Sequence, residues 1–276
     1  MKKVSSLLAL VIVLWSCSTS TKTQFKAIDI QLIRNATLKV NYNGSTFLVD
    51  PSLSAKQSFM SFVVPDQNLN PTVDLPLAIN QITEGVNAVL VTHTHLDHFD
   101  AAAEKNLDSN LPLFAQPSDQ ERLSQSPFKN VHFVESETQF EGTQIIRTSG
   151  KHGPEQLLEA LGEVSGFILQ AEGHPTLYII GDCLWDDEVK ATIKEFNPDI
   201  IVANTGGAQY GGGQILMNEN DAIELAQFAP HAQVIAVHME ALDHCQTTRA
   251  KVTKAAKEAG VEIRVPADGE RITLSL

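Results

Sequence analysis

The chain has 276 residues, and its 20 Lys and Arg stand against 33 Asp and Glu, which gives a formal net charge of −13. A groove that follows nucleic-acid phosphates needs clustered Lys and Arg, and the sequence contains no such cluster, so a small-molecule substrate is favoured over a polynucleotide. From Phe25 onward about 250 residues remain, which fits one large α/β domain or two small ones, and no linker divides them.

The first residues have the pattern of a secretory signal. Two lysines precede the apolar run from Leu7 to Trp15, which is too short to span a bilayer. The following Ser-Cys pair resembles a bacterial lipobox, although Trp is unusual before it, and plain secretion or an uncleaved anchor are the alternatives. We predict a signal peptide over residues 1–16, lipidation of Cys17 and a tether over residues 17–26. The anchor would hold the protein in the cell envelope, at the outer membrane facing the periplasm.

Residues 27–276 are predicted to form the folded domain, and strands open it. Alternation with period two in "AIDIQLIR", "ATLKVNY" and "STFLVD" predicts antiparallel strands and hairpins. The stretch between Pro51 and Pro76 mixes Pro, Asn and Gln with apolar residues. We interpret it either as a loop folded onto the body or as a flap over a pocket.

Buried strands and amphipathic helices make up the rest of the chain. Continuous apolar runs, from "NAVLVT" through "TLYIIGD" and "AQVIAVH" to "VEIRVP", predict strands covered on both faces. The segments "DEVKATIKEF", "NENDAIELAQFAP" and "TTRAKVTKAAKEAG" predict helices that separate the later strands. Two sheets with helices on their outer faces accommodate this pattern, so the predicted class is α/β (α+β).

The stretch "THTHLDH" follows the buried strand "NAVLV" directly. His93 and His95 are two residues apart, so in an extended segment both point to one side, and Asp97 and His98 follow as the chain bends toward a helix. Three imidazoles and a carboxylate suit Zn²⁺, Mn²⁺ or Fe, and their spacing suits two adjacent ions. The alternative is a solvated helix start in which Asp97 or Asp100 is a cap and the histidines are incidental.

The same stretch resembles the HxHxDH signature of the metallo-β-lactamase superfamily. Further motifs follow in the order expected for that superfamily: Asp50 in "FLVDP", His152 in "SGKHGP", Asp182 in "YIIGDC" and His238 in "VIAVHME". "FLVDP", "YIIGD" and the Gly-rich "NTGGAQYGGGQILMNENDA" look most like the ascorbate-6-phosphate lactonase-like branch of metal-dependent hydrolases. The resemblance covers nearly all of the chain after the signal and implies a four-layer αββα sandwich.

The resemblance also implies a binuclear metal site with two divalent ions, Zn²⁺ first and Mn²⁺ or Fe as alternatives. It assigns His93, His95 and His152 to one ion, Asp97, His98 and His238 to the other, and Asp182 as the bridge. Two cations that share a water lower its pKa toward about 7 and so make hydroxide available at neutral pH. We therefore expect a hydrolase that needs no nucleophilic Ser or Cys.

Three further residues have expected roles near this site. Asp97, besides being a ligand, is placed to orient the hydroxide or to carry a proton toward the leaving group. His244 follows His238 by six residues and either reaches the pocket as an acid or substrate contact or has an ordinary loop role. Asp50 either fixes a histidine tautomer through its free ring nitrogen or forms a strand-end turn before Pro51.

Two sequence features allow more than one interpretation. Cys183 and Cys245 are either buried thiols or a disulfide in an oxidising compartment. The glycines of "GGAQYGGGQ" indicate either backbone that approaches the substrate or metals closely, or a flexible surface loop.

The function expected from these features is hydrolysis of a small ester, lactone or phosphodiester, with true β-lactam hydrolysis less favoured. One alternative is a diiron-type oxidoreductase on the same scaffold, although that branch usually brings a flavin module or altered ligands. Another is a non-catalytic, metal-binding envelope lipoprotein. The oligomeric state and the substrate have no signature in the sequence.

Overall fold

Two mixed sheets of seven strands each form the centre of the protein in a computed structural model that describes residues 25–275. The predicted signal peptide, Cys17 and residues 18–24 of the tether lie outside the described residues. Within residues 25–275 no helix combines the length and the apolar character needed to cross a bilayer.

The first sheet begins with the predicted antiparallel hairpins and continues with parallel strands. Its strands are β1 (Ile28–Arg34), β2 (Thr37–Tyr42), β3 (Ser45–Val49), β4 (Ala88–Val91), β5 (Leu113–Ala115), β6 (Val131–Phe133) and β16 (Arg271–Leu274). Their order across the sheet is β16-β1-β2-β3-β4-β5-β6, so the last strand of the described chain pairs with the first.

The second sheet is antiparallel at one edge and parallel at the other. Its strands are β7 (Glu137–Phe140), β8 (Thr143–Gly150), β9 (Val164–Gln170), β10 (Leu177–Ile179), β11 (Ile200–Asn204), β14 (Gln233–Val237) and β15 (Ile263–Arg264). The order is β15-β14-β11-β10-β9-β8-β7. The Gly-rich stretch forms a separate small hairpin of β12 (Gln209–Tyr210) and β13 (Gly213–Gln214).

Helices cover the outer faces of both sheets. They are α1 (Ile79–Thr83), α2 (Ala101–Asn106), α3 (Gln120–Ser124), α5 (Asp187–Phe196), α6 (Glu219–Phe228) and α7 (Arg249–Ala259), whereas α4 (Leu158–Leu161) packs against Ile215 and Leu216 near the small hairpin. The three predicted helices correspond to α5, α6 and α7. Side chains of Asp186, Asn218 and Thr248 accept backbone hydrogen bonds at their amino termini, which explains where these helices begin.

Alternate strand residues pack into different layers. In β4, Leu90 points into the core between the two sheets, whereas Val89 and Val91 pack under the helices of the first sheet. In β11, Val202 faces the core between the sheets and Ile201 packs with α5 and α6. The predicted αββα sandwich is therefore confirmed, because each central strand buries both of its faces.

The irregular stretch after β3 folds back on itself over residues 57–72, which we call the flap. Gln57 N donates to Pro71 O at 2.9 Å, and Phe59 and Asn70 exchange backbone hydrogen bonds. Thr72 N donates to Ala241 O at 2.8 Å, which ties the flap to the loop after β14. The structure shows both of the features considered for this stretch, because it is tied to the body and its Phe62 lines a pocket.

Candidate metal centre

The chain turns sharply after β4 and places His93, His95 and His98 at one edge of the sheet, with His93 and His98 fully buried. His95 O accepts backbone hydrogen bonds from both His98 N and Phe99 N, so the chain bends directly after the His-Thr-His run. Asp100 then caps α2 by accepting from Ala103 N at 2.8 Å. The helix cap that the alternative interpretation predicted is therefore present. The histidines nevertheless converge beside it, so the cap does not explain them.

Two groups of side chains converge beside this turn. Each offers ligand atoms that lie within 4.8 Å of one another: His93, His95 and His152 form one group, and Asp97, His98, Asp182 and His238 form the other. All seven residues predicted as ligands are thus brought together. They come from the carboxyl-terminal ends of β4, β8, β10 and β14 and the segments that follow them, where polar side chains of parallel sheets meet.

Asp182 belongs to the second group and also lies close to His152 of the first. One carboxylate oxygen, Oδ2, is 3.1 Å from His98 Nε2 and 3.9 Å from His152 Nε2. The other, Oδ1, is 3.4 Å from His238 Nε2 and accepts a hydrogen bond from Asn204 Nδ2 at 2.7 Å. Because one of its oxygens is close to histidines of both groups, this carboxylate is positioned to contact a cation in either group.

Two of the histidines are held by an outer contact of one ring nitrogen, which turns the other nitrogen toward the centre. His98 Nδ1 lies 2.9 Å from Asp50 Oδ2, and His152 Nδ1 lies 2.9 Å from the carbonyl oxygen of Ile215. Because a carbonyl can only accept, His152 carries its proton on Nδ1 and leaves the Nε2 lone pair free. Such outer hydrogen bonds orient metal-binding imidazoles.

Asp50 has the first of its two expected roles, the contact with a histidine, and forms no Asx turn, because Ser52 N donates to Thr37 Oγ1 instead. Its Oδ1 accepts from Thr92 N at 2.7 Å and its Oδ2 accepts from Thr92 Oγ1 at 2.8 Å, which holds the end of β4. The same Oδ2 contacts His98. The backbone of Asp50 has a φ of +45°, a left-handed conformation that Asp tolerates better than most residues.

Some side chains that support the centre had no signal in the sequence. Asn204 contacts Asp182, and Asn35 Nδ2 lies 3.3 Å from Asp97 O and 3.4 Å from its Oδ2. Cys245 Sγ is 3.8 Å from His238 Nδ1. Asn204 ends a buried strand just as Asp182 follows one, so the polar ends of neighbouring strands were the only available clue.

Burial and mutual charge shift the pKa values of the cluster strongly. Burial alone lowers the pKa of His98, but the carboxylates of Asp182, Asp97 and Asp50 outweigh it and raise this pKa to about 10. Burial lowers the pKa of His152 to about 4. Although burial opposes it, nearby histidines also hold the pKa of Asp182 well below its usual range.

This donor set fits divalent cations. Buried, ionised carboxylates need positive charge close by, and in the metal-free protein the imidazoles of His238 and His98, whose pKa values are raised, supply it. A cation bound to the same atoms would provide that charge instead. Imidazole nitrogen and carboxylate oxygen together are suited to Zn²⁺, Mn²⁺ and Fe.

A cavity of about 310 Å³ opens onto the two groups. Its lining consists of Phe62, Thr94, His95, Leu96, Asp97, His152, Ala160, Leu161, Asp182, Tyr210, Ile215 and His244. His244 thus reaches the pocket, and burial lowers the pKa of its ring. A larger groove of about 890 Å³ beside α6, α7 and β15 shares no lining residue with the metal-binding groups.

The two cysteines of the described chain are free thiols. Cys183 is fully buried, packs with Val189 in the layer under α5 and donates to Ile180 O at 3.4 Å. Cys245 is partly buried beside His238. Of the two interpretations left open above, the structure therefore shows separate thiols and no disulfide between them.

Comparison with known proteins agrees with this geometry. Residues 45–239 match the family described as "Beta-lactamase superfamily domain", a span that includes all seven predicted ligands. The UPF0173 protein YddR of Bacillus subtilis (strain 168) is 40% identical over 253 residues, which cover 89% of this chain and 100% of YddR. The finer resemblance to the ascorbate-6-phosphate lactonase-like branch stays a prediction.

Two solved structures are similar over nearly their whole length. A possible metal-dependent hydrolase from Veillonella parvula DSM 2008 has 36% identity and a TM-score of 0.86, covering 89% of this chain and 99% of that one. An isothiocyanate hydrolase from Delia radicum gut bacteria has 34% identity and a TM-score of 0.84, covering 90% and 99%. Its fold, its His/Asp metal-binding cluster and these relatives together show that the chain belongs to the metallo-β-lactamase superfamily and is a metal-dependent hydrolase.

Proposed function

We propose that the protein is a binuclear metal hydrolase that cleaves a small, uncharged substrate with water. One divalent cation would be held by His93, His95 and His152, the other by Asp97, His98 and His238, with Asp182 shared between them. The observation that carries this proposal is the position of Asp182, whose Oδ2 lies near histidines of both groups on the lining of the cavity. Zn²⁺ is the first candidate, with Mn²⁺ or Fe as alternatives.

When bound, the two cations lower the pKa of a shared water toward about 7 and stabilise negative charge that develops on the substrate. The chain's own residues have the remaining tasks. Asp97 lines the cavity, where it orients the attacking water or carries a proton to the leaving group. His244 lines the same cavity and has no side-chain hydrogen bond to any described residue, so its ring is available to the polar group of a substrate.

The character of the cavity favours attack on carbon over attack on phosphorus. Neither Lys nor Arg occurs among its lining residues, so the described chain offers no side-chain cation to a phosphate beyond the metal-binding cluster. Leu96, Leu161, Ile215 and Phe62 supply apolar walls. Esters and lactones therefore fit better than phosphodiesters: water adds to the carbonyl carbon, the carbon–oxygen bond breaks, and an acid and an alcohol result.

Isothiocyanates are a second candidate substrate class. The support is the 34% identity, over 90% of this chain, to a structure named as an isothiocyanate hydrolase. An isothiocyanate is small, uncharged and electrophilic at its central carbon, which suits a cavity of about 310 Å³. Water would add to that carbon, the carbon–nitrogen bond would break as nitrogen gains the proton, and an amine and carbonyl sulfide would form.

Metal analysis combined with a substrate panel tests the proposal. The purified protein is stripped with a chelator, reloaded with Zn²⁺, Mn²⁺ or Fe²⁺, and assayed on short esters, lactones, isothiocyanates, phosphodiesters and β-lactams. We expect two ions per chain and turnover of an ester, lactone or isothiocyanate that the chelator abolishes. A fully loaded protein that turns over nothing in the panel would instead support a non-catalytic role, and stoichiometric iron with a visible absorption band would support oxidoreductase chemistry.

We also propose that the protein acts in the bacterial cell envelope, attached through lipidated Cys17 to the outer membrane and facing the periplasm. The support is the lipobox-like sequence around this cysteine. Metabolic labelling with a radioactive fatty acid, followed by fractionation of wild type and Cys17→Ser, tests this. Label and membrane association should both be absent from the variant.

A further inference from the structure

The flap is fastened to the loop that carries His244. Asp243 Oδ1 accepts from Asn70 Nδ2 at 2.8 Å, and Asp243 N donates to Asn70 Oδ1 at 2.9 Å. The second carboxylate oxygen of Asp243 accepts from Ser61 Oγ. Three hydrogen bonds from one residue thus hold both limbs of the flap, and the next residue along the chain is His244.

This fastening places the ring of Phe62 beside that of His244. The ring centroids are 5.1 Å apart with an interplanar angle of 82°, an edge-to-face contact. Both side chains line the cavity above the metal-binding groups. His244 is only 7% exposed, and its Nδ1 lies 3.9 Å from Asp243 Oδ1, beyond hydrogen-bond distance, with no hydrogen-bond partner among the described residues. A buried imidazole without a partner at a cavity wall indicates that a ligand completes its hydrogen bonding.

The remaining walls and the mouth of the cavity are largely apolar, and Thr94, Gln209, Gln246 and Asp243 are their polar members. Leu161 and Ile215 line the cavity with Phe62, and Leu96 is 46% exposed at its edge. A second lobe of about 310 Å³ adjoins it, shares Tyr210 and His244, and is also lined by Val63 and Asp243. Neither lobe has Lys or Arg among its lining residues. An anionic substituent would meet Asp243 there with no cation to pair with.

Few large apolar side chains are exposed elsewhere on the described chain. Five are exposed within residues 25–275, and Val63, Leu96 and Tyr210 line one of the two lobes. A fourth, Met60, lies on the flap. Exposed apolar side chains concentrated at the mouth of a pocket indicate contact with an apolar ligand.

We propose that Phe62 is a specificity-determining residue, and that it selects uncharged substrates whose small apolar substituent packs against Phe62, Leu161 and Ile215 while His244 binds the polar group. This inference rests on the proposed hydrolase function. It adds the class of substituent and the part of the chain that recognises it. The hydrogen bonds of Asp243 keep the aromatic ring in position, so Asp243 acts as a positioning residue for Phe62.

The test compares substrates that differ only in chain length or charge. The zinc-loaded protein is assayed on methyl, butyl and hexyl isothiocyanate and on the esters methyl acetate, methyl butyrate and methyl hexanoate. Monomethyl glutarate is the charged ester. We expect kcat/KM to rise with chain length up to the butyl or butyrate compound and to be at least about tenfold lower for monomethyl glutarate than for methyl butyrate.

Two substitutions of Phe62 should both lower the preference for longer substrates, one by removing packing surface and the other by filling the cavity. Phe62→Ala should lower the ratio of kcat/KM for the longer to the methyl substrate about tenfold, mainly through KM, because the packing surface is lost. Phe62→Trp should shift the preference toward the shorter substrate because it fills the cavity. Phe228→Ala, which truncates a half-exposed Phe on α6, is the matched control and should leave the ratio unchanged.

A binding measurement separates this inference from the proposed function. Ligand-observed NMR with hexanamide and acetamide reports binding without turnover, and hexanamide should bind wild type at least about tenfold more tightly than it binds Phe62→Ala. If wild type turns over no substrate but binds hexanamide in this way, the proposed function fails and the apolar pocket stands. If wild type is active but neither Phe62 variant changes the chain-length ratio or the amide affinity, the inference is overturned.

Discussion

Asp50 and His98 form a buried pair in which carboxylate Oδ2 lies 2.9 Å from ring Nδ1. The contact directs the opposite ring nitrogen of His98 toward Asp182, Asp97 and His238. Because Thr92 also donates twice to Asp50, the carboxylate couples the end of β4 to the orientation of a metal-binding side chain.

Replacement of Asp50 should therefore weaken metal binding without removing a ligand. We expect Asp50→Asn to lower zinc affinity by about 10- to 100-fold, because the neutral amide is a weaker partner for the imidazole. Competition with a chromophoric chelator measures the affinity. Asp187→Asn, an exposed carboxamide substitution on α5, is the control and should bind zinc like wild type. Equal affinity of both variants would contradict the role given to Asp50.

Removal of the candidate ligands should reveal which ion each one serves. His95 belongs to the first group only, so His95→Ala should reduce the bound metal from two ions toward one. Asp182 lies near histidines of both groups, so Asp182→Asn should weaken both ions. Elemental analysis after dialysis against a weak chelator distinguishes the two. If both variants retain two ions and full activity, the site assignment is wrong.

The metal-free protein should lose stability as the pH rises. The folded-state pKa of His98 is about 10 against an ordinary value of 6.5, because the attraction of Asp182, Asp97 and Asp50 exceeds the cost of burial. A raised pKa means that its contribution to folding is complete below about pH 6.5 and is lost as the pH rises toward 10. Denaturant midpoints of the chelated protein should accordingly fall between pH 7 and 10.

The same protonation predicts that metal uptake releases protons. At pH 7 the metal-free centre holds a proton on His98, and a cation that binds the ring nitrogen must displace it. Zinc added to chelated protein in weak buffer with a pH indicator should release at least one proton per chain. The metal-loaded protein serves as the control and should release none on a second addition.

Gly206 should be intolerant of a side chain. A Cβ at this position would lie 2.0 Å from the backbone oxygen of His238 and 2.9 Å from Cys245 Sγ. Gly206→Ala should therefore destabilise the fold by about 1–3 kcal/mol and disturb His238. Urea denaturation and zinc content measure the two effects. At Gly173 a Cβ meets nothing within 4 Å, so Gly173→Ala should cost only about 1–2 kcal/mol of backbone strain and leave zinc content unchanged.

Local sequence patterns were sufficient to predict the secondary-structure elements and about half of the candidate metal ligands. Helices α5, α6 and α7 carry helical spacing and capping residues in the sequence itself, and they begin within two residues of the predicted segments. His93, His95, Asp97 and His98 are close neighbours in the chain, so their shared chemistry is visible without a fold. His152, Asp182 and His238 were identified through family resemblance, since a single polar residue after a strand is usually a turn residue.

The sequence by itself determined the layered fold, the ligand types and the acidic character of the protein, because these depend on periodicity, composition and short motifs. Only the tertiary structure decided which distant side chains meet: Asn35 with Asp97, Asn204 with Asp182, and Phe62 with His244. These contacts join residues 22 to 182 positions apart in sequence, as the hydrogen bonds between Asn204 and Asp182 and between Ser61 and Asp243 illustrate. The packing of the two sheets and the flap decides which of these side chains meet. The neighbouring residues in the chain do not indicate that packing.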